Sequence, residues 1–150
     1  MSTFFFLKLG LLVFWGAWYL TAFATNLCDM FQALGILPNT WRFASGNLQS
    51  VIKATAIYST RRGLPHLLFI GVLCWQLLVS SLFGWAVVSS VSAGAMNVDA
   101  INAAFFSGLG LWAGFMLADE IFKQYDTEHA HVLFFIAQLM TFVALHVLPS

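Results

Sequence analysis

Four long apolar runs, separated by polar clusters, organise this chain. They extend from about Thr3 to Ala24, Leu67 to Val91, Ala100 to Ala118 and His131 to Leu148. Each has roughly the 17–25 residues that a helix needs to cross a bilayer core. None alternates apolar and polar residues as a barrel strand does. Backbone groups in lipid must be paired within their own segment, so the pattern predicts four transmembrane α-helices. The fold expected is an all-α integral membrane protein in which residues 1–150 form a single four-helix transmembrane domain. Ala22-Phe23-Ala24 has the small-x-small form of a leader-cleavage site. The segment before Lys8 lacks a positive start, however, and Trp15, Trp18 and Tyr19 suit a membrane anchor. The first run is therefore read as a retained helix.

The connection between the first and second runs is long enough to carry structure of its own. Asn26 followed by Asp29 can cap a short helix, which Gly35 and Pro38 would end. After Ser45-Gly46-Asn47, Leu48, Val51, Ile52 and Tyr58 fall on one helical face with the small Thr55 between them. Such a helix would lie on the membrane surface, with Trp41, Lys53, Arg61 and Arg62 at the lipid headgroups.

Composition sharpens this picture. The chain is 61% hydrophobic and 8% charged, with a mean hydropathy of +0.87, whereas a soluble domain carries about a quarter charged residues. Its solvent is therefore largely the lipid bilayer. A net charge of zero leaves no basic footprint for nucleic acid. Arg42, Lys53, Arg61, Arg62 and Lys123 all fall in loops 25–66 and 119–130, while Lys8, alone at the other end, can snorkel to its own interface. The positive-inside rule then places both loops in the cytoplasm and both termini outside, as in a protein of the bacterial inner membrane. Cys28 and Cys74 form no C-x-x-C pair and read as packing residues.

Gln76 and Gln138 are the polar side chains deepest in the second and fourth runs. At about 1.5 Å per residue they lie roughly 13 and 10 Å from the loop end, so they can meet across a helix interface. An interhelical amide bond of this kind contributes about 0.6 kcal/mol. The alternative is a binding site in which these amides bond a quinone carbonyl or a transported solute; separately, His66 and His131 (or His129), facing each other near the interface, could hold a haem. On the third run, Ala103, Ser107, Gly110, Gly114 and Ala118 form a small-residue stripe suited to close helix packing.

The segment LADEIFKQYDTEHAHVLFF concentrates the remaining polar chemistry. Glu120, His129 and His131 are candidate ligands for zinc, iron or copper. His129 and His131 would point about 200° apart on a helix, so they could share an ion only in a non-helical segment. The H-E-x-x-H arrangement is missing. The plainer reading is a hydrated turn, with Asp126 and Glu128 at the positive end of the fourth helix and Asp119 and Glu120 marking the membrane boundary.

Nothing in the chain resembles a phosphate cradle, a nucleophile elbow or a catalytic triad. In size and topology the plan is similar to small four-helix families of the DoxX type, which associate with redox enzymes. The function expected is an accessory or structural subunit, without catalysis or a cofactor of its own, packing against other membrane subunits or further copies of itself. A membrane redox component binding quinone, haem or a transition metal near the loop-end helix termini is the alternative. A small transporter or channel comes third, since the membrane core lacks a charged relay.

Overall fold

The computed structural model describes residues 3–58 and 63–149. Its helices are α1 (Thr3–Ala33), α2 (Asn47–Ala56), α3 (Leu64–Ala93), α4 (Val98–Phe122) and α5 (Tyr125–Val147). Four of them, all but the short α2, are long and apolar enough to cross a membrane. The all-helical, four-span architecture thus matches the hydropathy pattern. Arg61 and Arg62 lie outside the described residues.

The first loop differs from expectation. Asn26 and Asp29 do not start a separate helix; α1 continues through them to Ala33. The stretch 25–33 contains no glycine or proline to stop it. At 31 residues, α1 is about 46 Å long and outreaches the ~30 Å hydrocarbon core. It ends at Gly35, whose φ of 73° provides the left-handed turn. Ile36 N–H then bonds Phe31 C=O and Gly35 N–H bonds Gln32 C=O, the paired contacts of a Schellman motif. α4 ends in the same way on Lys123, a non-glycine residue at φ 55°. There Gln124 N–H bonds Asp119 C=O and Lys123 N–H bonds Glu120 C=O. At the other end of α4, the Asn97 side chain caps the helix by accepting from Ala100 N–H at 3.1 Å.

Packing follows the sequence spacing. α1 buries Phe5, Lys8, Leu12, Trp15, Tyr19, Asn26 and Met30, and α3 buries Phe69, Leu73, Gln76, Val79, Phe83, Ala86 and Ser90. Steps of three, four and seven keep one face of each helix toward its neighbour, as in a left-handed bundle. α1 packs on α3, α3 on α4 and α4 on α5, while α2 rests on α3 and α1. α1 comes close to α3 at Gly16: a Cβ there would come within 3.2 Å of Phe83 Cβ, and Ser80 donates to the Gly16 carbonyl at 3.2 Å.

One core, built around Leu12, Trp15, Tyr19, Phe83, Phe105 and Trp112, fills the bundle toward the chain termini. A second, of Met30, Leu48, Phe69 and Leu73, closes the loop end, with α2 as its cover. The outward faces carry Phe6, Phe14, Leu67, Val88, Phe106, Leu117, Leu133 and Met140, all exposed. On a soluble protein such a surface would drive association; facing acyl chains it is the solvated side.

Candidate functional site

Away from the chain termini, buried polar side chains form three clusters, and α1 supplies the organising residue at two of them. Near mid-bundle the Tyr19 hydroxyl donates to Gln138 Oε1 at 2.8 Å and lies 3.3 Å from the Gly108 carbonyl. Gln138 is 0% and Tyr19 1% exposed, so this contact ties α1, α4 and α5 together inside the apolar core. Tyr19 is stacked on Phe83, with ring centroids 6.0 Å apart, and flanked by Trp112 at the same distance. The glycine at 108 is required by contact: a Cβ there would overlap the Gln138 amide nitrogen and fall 2.9 Å from the Tyr19 hydroxyl. Trp15 Nε1, Trp112 Nε1 and Gln138 Nε2 are buried donors without an acceptor among the described residues. The centre is therefore rich in N–H groups, but packed too closely at Gly108 for a ring-sized ligand.

Toward the loop end, two turns further along the same face of α1, Asn26 Nδ2 donates to Gln76 Oε1 at 3.0 Å. Its Oδ1 accepts from Asn47 Nδ2 at 2.9 Å. One turn on, Asp29 Oδ2 accepts from Leu48 N–H at 2.8 Å and from the Ser45 hydroxyl at 3.2 Å. Gly46, the residue preceding α2, sits at φ 76° and has no side chain to cap the helix. The α1 carboxylate takes that role across the interface, which fixes α2 on the bundle.

Gln76 and Gln138 consequently do not pair with each other. Each is bonded to α1, to Asn26 and Tyr19 respectively. Spacing along a helix shows which residues share a face, and it leaves open which neighbouring helix that face meets.

The third cluster is at the α4–α5 turn. Asp119 is buried at the end of α4. Its Oδ2 faces His131 Nδ1 at 2.5 Å, and its Oδ1 accepts from the Thr127 hydroxyl at 3.0 Å. The His131 ring stacks on Phe115 at 4.9 Å and lies 6.0 Å from Trp112. Its side chain is 24% exposed. With the carboxylate accepting at Nδ1, Nε2 is the nitrogen left to meet a further group.

The other sequence candidates are placed as follows. His129 and Glu120 are exposed, and both histidines of the turn lie on α5, which begins at Tyr125. His66 is exposed in the first turn of α3. Among the described residues no three His, Cys, Asp or Glu side chains lie close enough to hold a metal ion. Trp41 and Lys53 are exposed at the loop end. The α4 stripe divides in two. Trp75 of α3 donates to the Ser107 carbonyl at 3.1 Å, and a Cβ at Gly110 would meet the same indole at 3.3 Å. Gly114 has nothing within 4 Å, and Ala118 is half-buried.

Sequence reasoning missed Tyr19, Asn26 and Asp29 as a set. The signal was present: they continue the inward spacing of Phe5, Lys8, Leu12 and Trp15. Compared with known protein families, curated proteins and solved structures, the chain matches none.

Proposed function

We propose that this chain is an accessory or structural subunit that packs within a larger membrane assembly. The observation that carries this reading is the outer surface. Gly10 on α1, Gly71 and Gly84 on α3 and Gly114 on α4 are exposed, with nothing within 4 Å of a Cβ. A helical glycine costs about 1 kcal/mol relative to alanine. Against lipid alone it brings no return, whereas against another helix it allows close backbone approach. α5 adds to this, since its apolar window is only 11% buried. Asn26, Gln76, Asp29 and Asp119, meanwhile, are bonded within the chain. Arg42, Lys53 and Lys123 belong to the loops at one end, which supports cytoplasmic loops 25–66 and 119–130 and outward termini in an inner-membrane type of bilayer.

Two substitutions on one stripe separate packing within the chain from packing between chains. Gly110→Leu is expected to lower the thermal midpoint, because it collides with Trp75. Gly114→Leu is expected to leave helix content and midpoint unchanged but to reduce co-purifying membrane partners at least tenfold in mild detergent. Full retention of partners in Gly114→Leu would show that this face meets only lipid.

A second reading is favoured by the Asp119–His131 pair: a quinone headgroup site at the loop end. Asp119 and Thr127 fix the imidazole, and Phe115 and Trp112 offer an aromatic wall. With both ring nitrogens protonated, Nδ1–H is held by Asp119 and Nε2–H is left to bond a quinone carbonyl. Quenching of tryptophan emission by a short-chain ubiquinone tests it. Saturable quenching that weakens at least tenfold in His131→Ala supports this site; linear, variant-independent quenching removes it.

A further inference from the structure

At the end of the bundle opposite the Asp119–His131 pair lies a cavity of about 430 Å³. This is within the range of sites that bind small molecules. Phe5, Met96, Ile101 and Leu145 give it apolar walls, and Lys8 and His146 are its ionisable lining residues. Lys8 does not reach outward to water as a lysine near a span end usually does. It is 6% exposed, turned into the bundle between α1 and α5. Its ammonium, which carries three N–H donors, donates to the Leu148 carbonyl at 2.9 Å.

That neutral acceptor compensates a buried cation poorly. Among the described residues the one ion pair is Asp119 with His131, at the far end of α4 and α5. Asp99, the acid of the first turn of α4, is exposed and makes no ion pair with Lys8. His146 Nδ1 is taken up by the Phe142 carbonyl at 2.9 Å, which leaves Nε2 as its second polar atom. Val98, the first residue of α4, also lines the cavity. Gly94 and Leu148, which cap the C-terminal ends of α3 and α5, line it too, so helix ends of both signs meet there and the full positive charge is that of Lys8. A buried cation and apolar walls share one space. Their complement is an oxyanion attached to a hydrocarbon chain.

We infer that this cavity binds an anionic amphiphile, with Lys8 holding its carboxylate or phosphate headgroup and Phe5, Met96, Ile101 and Leu145 receiving its alkyl chain. Lys8 lies five residues into α1, about 7 Å along the helix axis. The cavity thus lies near one end of an apolar span, within reach of a ligand that enters from the bilayer itself. The site is at the end of the bundle away from His131, and neither reading of the proposed function depends on it.

The test is native mass spectrometry of the full chain in neutral detergent after incubation with palmitate, palmitoyl lysophosphatidate or methyl palmitate. One equivalent of palmitate or of lysophosphatidate is expected, and methyl palmitate, with the same chain but no charge, is expected to bind at least tenfold more weakly. Retention of palmitate alone would identify a free fatty acid as the ligand, and retention of lysophosphatidate alone a phospholipid-type headgroup. Lys8→Met should reduce the adduct at least tenfold while Lys8→Arg keeps it. Met96→Trp, which fills the cavity without touching the charge, should also lose it. Equal binding of the methyl ester, or an adduct indifferent to Lys8→Met in a protein of unchanged circular dichroism, would overturn the assignment.

Discussion

Gly108→Ala is expected to destabilise the bundle by about 1–3 kcal/mol, although alanine is the better helix former. The magnitude follows from opposing effects. Replacing a helical glycine by alanine gains about 1 kcal/mol from propensity. Against this, the new methyl overlaps the Gln138 amide and crowds the Tyr19 hydroxyl. Overpacking of a tight core costs about 1–3 kcal/mol. Displacing the Tyr19–Gln138 bond adds about 1 kcal/mol, within the span measured for interhelical bonds in membranes. Gln138 has little room to retreat, since it is fully buried and Tyr19 is held between Phe83 and Trp112. Gly84→Ala makes the control, because a Cβ there meets nothing within 4 Å. It should be neutral or stabilising by up to about 1 kcal/mol. Denaturation in mixed micelles checks both, and equal effects at 108 and 84 would mean that α4 does not approach α1 and α5 as described.

The second large effect is expected at Asp29. Its Oδ2 accepts from both Leu48 N–H and Ser45 Oγ, and Leu48 is 1% exposed. Asp29→Ala leaves a buried backbone donor unmatched at the start of a helix whose own cap position is glycine. A hydrogen bond to a charged acceptor contributes about 1.5–3 kcal/mol. The loss should appear locally, because α2 is a single ten-residue element fastened at few points. Amide exchange across α2 should accelerate roughly 30-fold, the equivalent of about 2 kcal/mol, while the four long helices keep their protection. Asp29→Asn, which retains one acceptor oxygen, should fall between. Unchanged exchange in Asp29→Ala would show that α2 is held by Leu48 and its apolar neighbours alone.

Much of the architecture was legible because a membrane imposes it. Span length and apolar content reflect the solvent: α3 and α4 contain the runs read from the sequence, and α5 contains its run except Leu148. The boundaries were less so. α5 begins at Tyr125 rather than His131, because Asp126, Thr127 and Glu128 fit a first helical turn even though they are not apolar. α3 begins at Leu64, with Pro65 in the turn where a missing N–H has no consequence. The end of α1 was misplaced for a related reason. Asn26 and Asp29 look like the end of an apolar run, yet they lie on the inward face of a helix that has not stopped.

The candidate sites were legible in part. Gln76, Gln138 and His131 stood out as polar residues in apolar surroundings, and all three have buried or half-buried partners. Their partners did not stand out. Tyr19 is ordinary in a membrane helix, and Asp119 looks like one more boundary acid until Lys123 turns the chain and brings His131 back over it. Pairings across helices depend on rotation and relative height, which periodicity alone does not supply. Lys8 is the clearest case. Its position suggested an outward-reaching anchor, whereas the side chain turns inward beneath Leu148.

The most direct test of the proposed role is the composition of the particle that carries the unaltered chain, isolated from native membranes in a mild detergent. The account predicts a complex with other membrane proteins in fixed stoichiometry, sensitive to Gly114→Leu. A chain that emerges alone, as a monodisperse monomer with its fold intact, would contradict it.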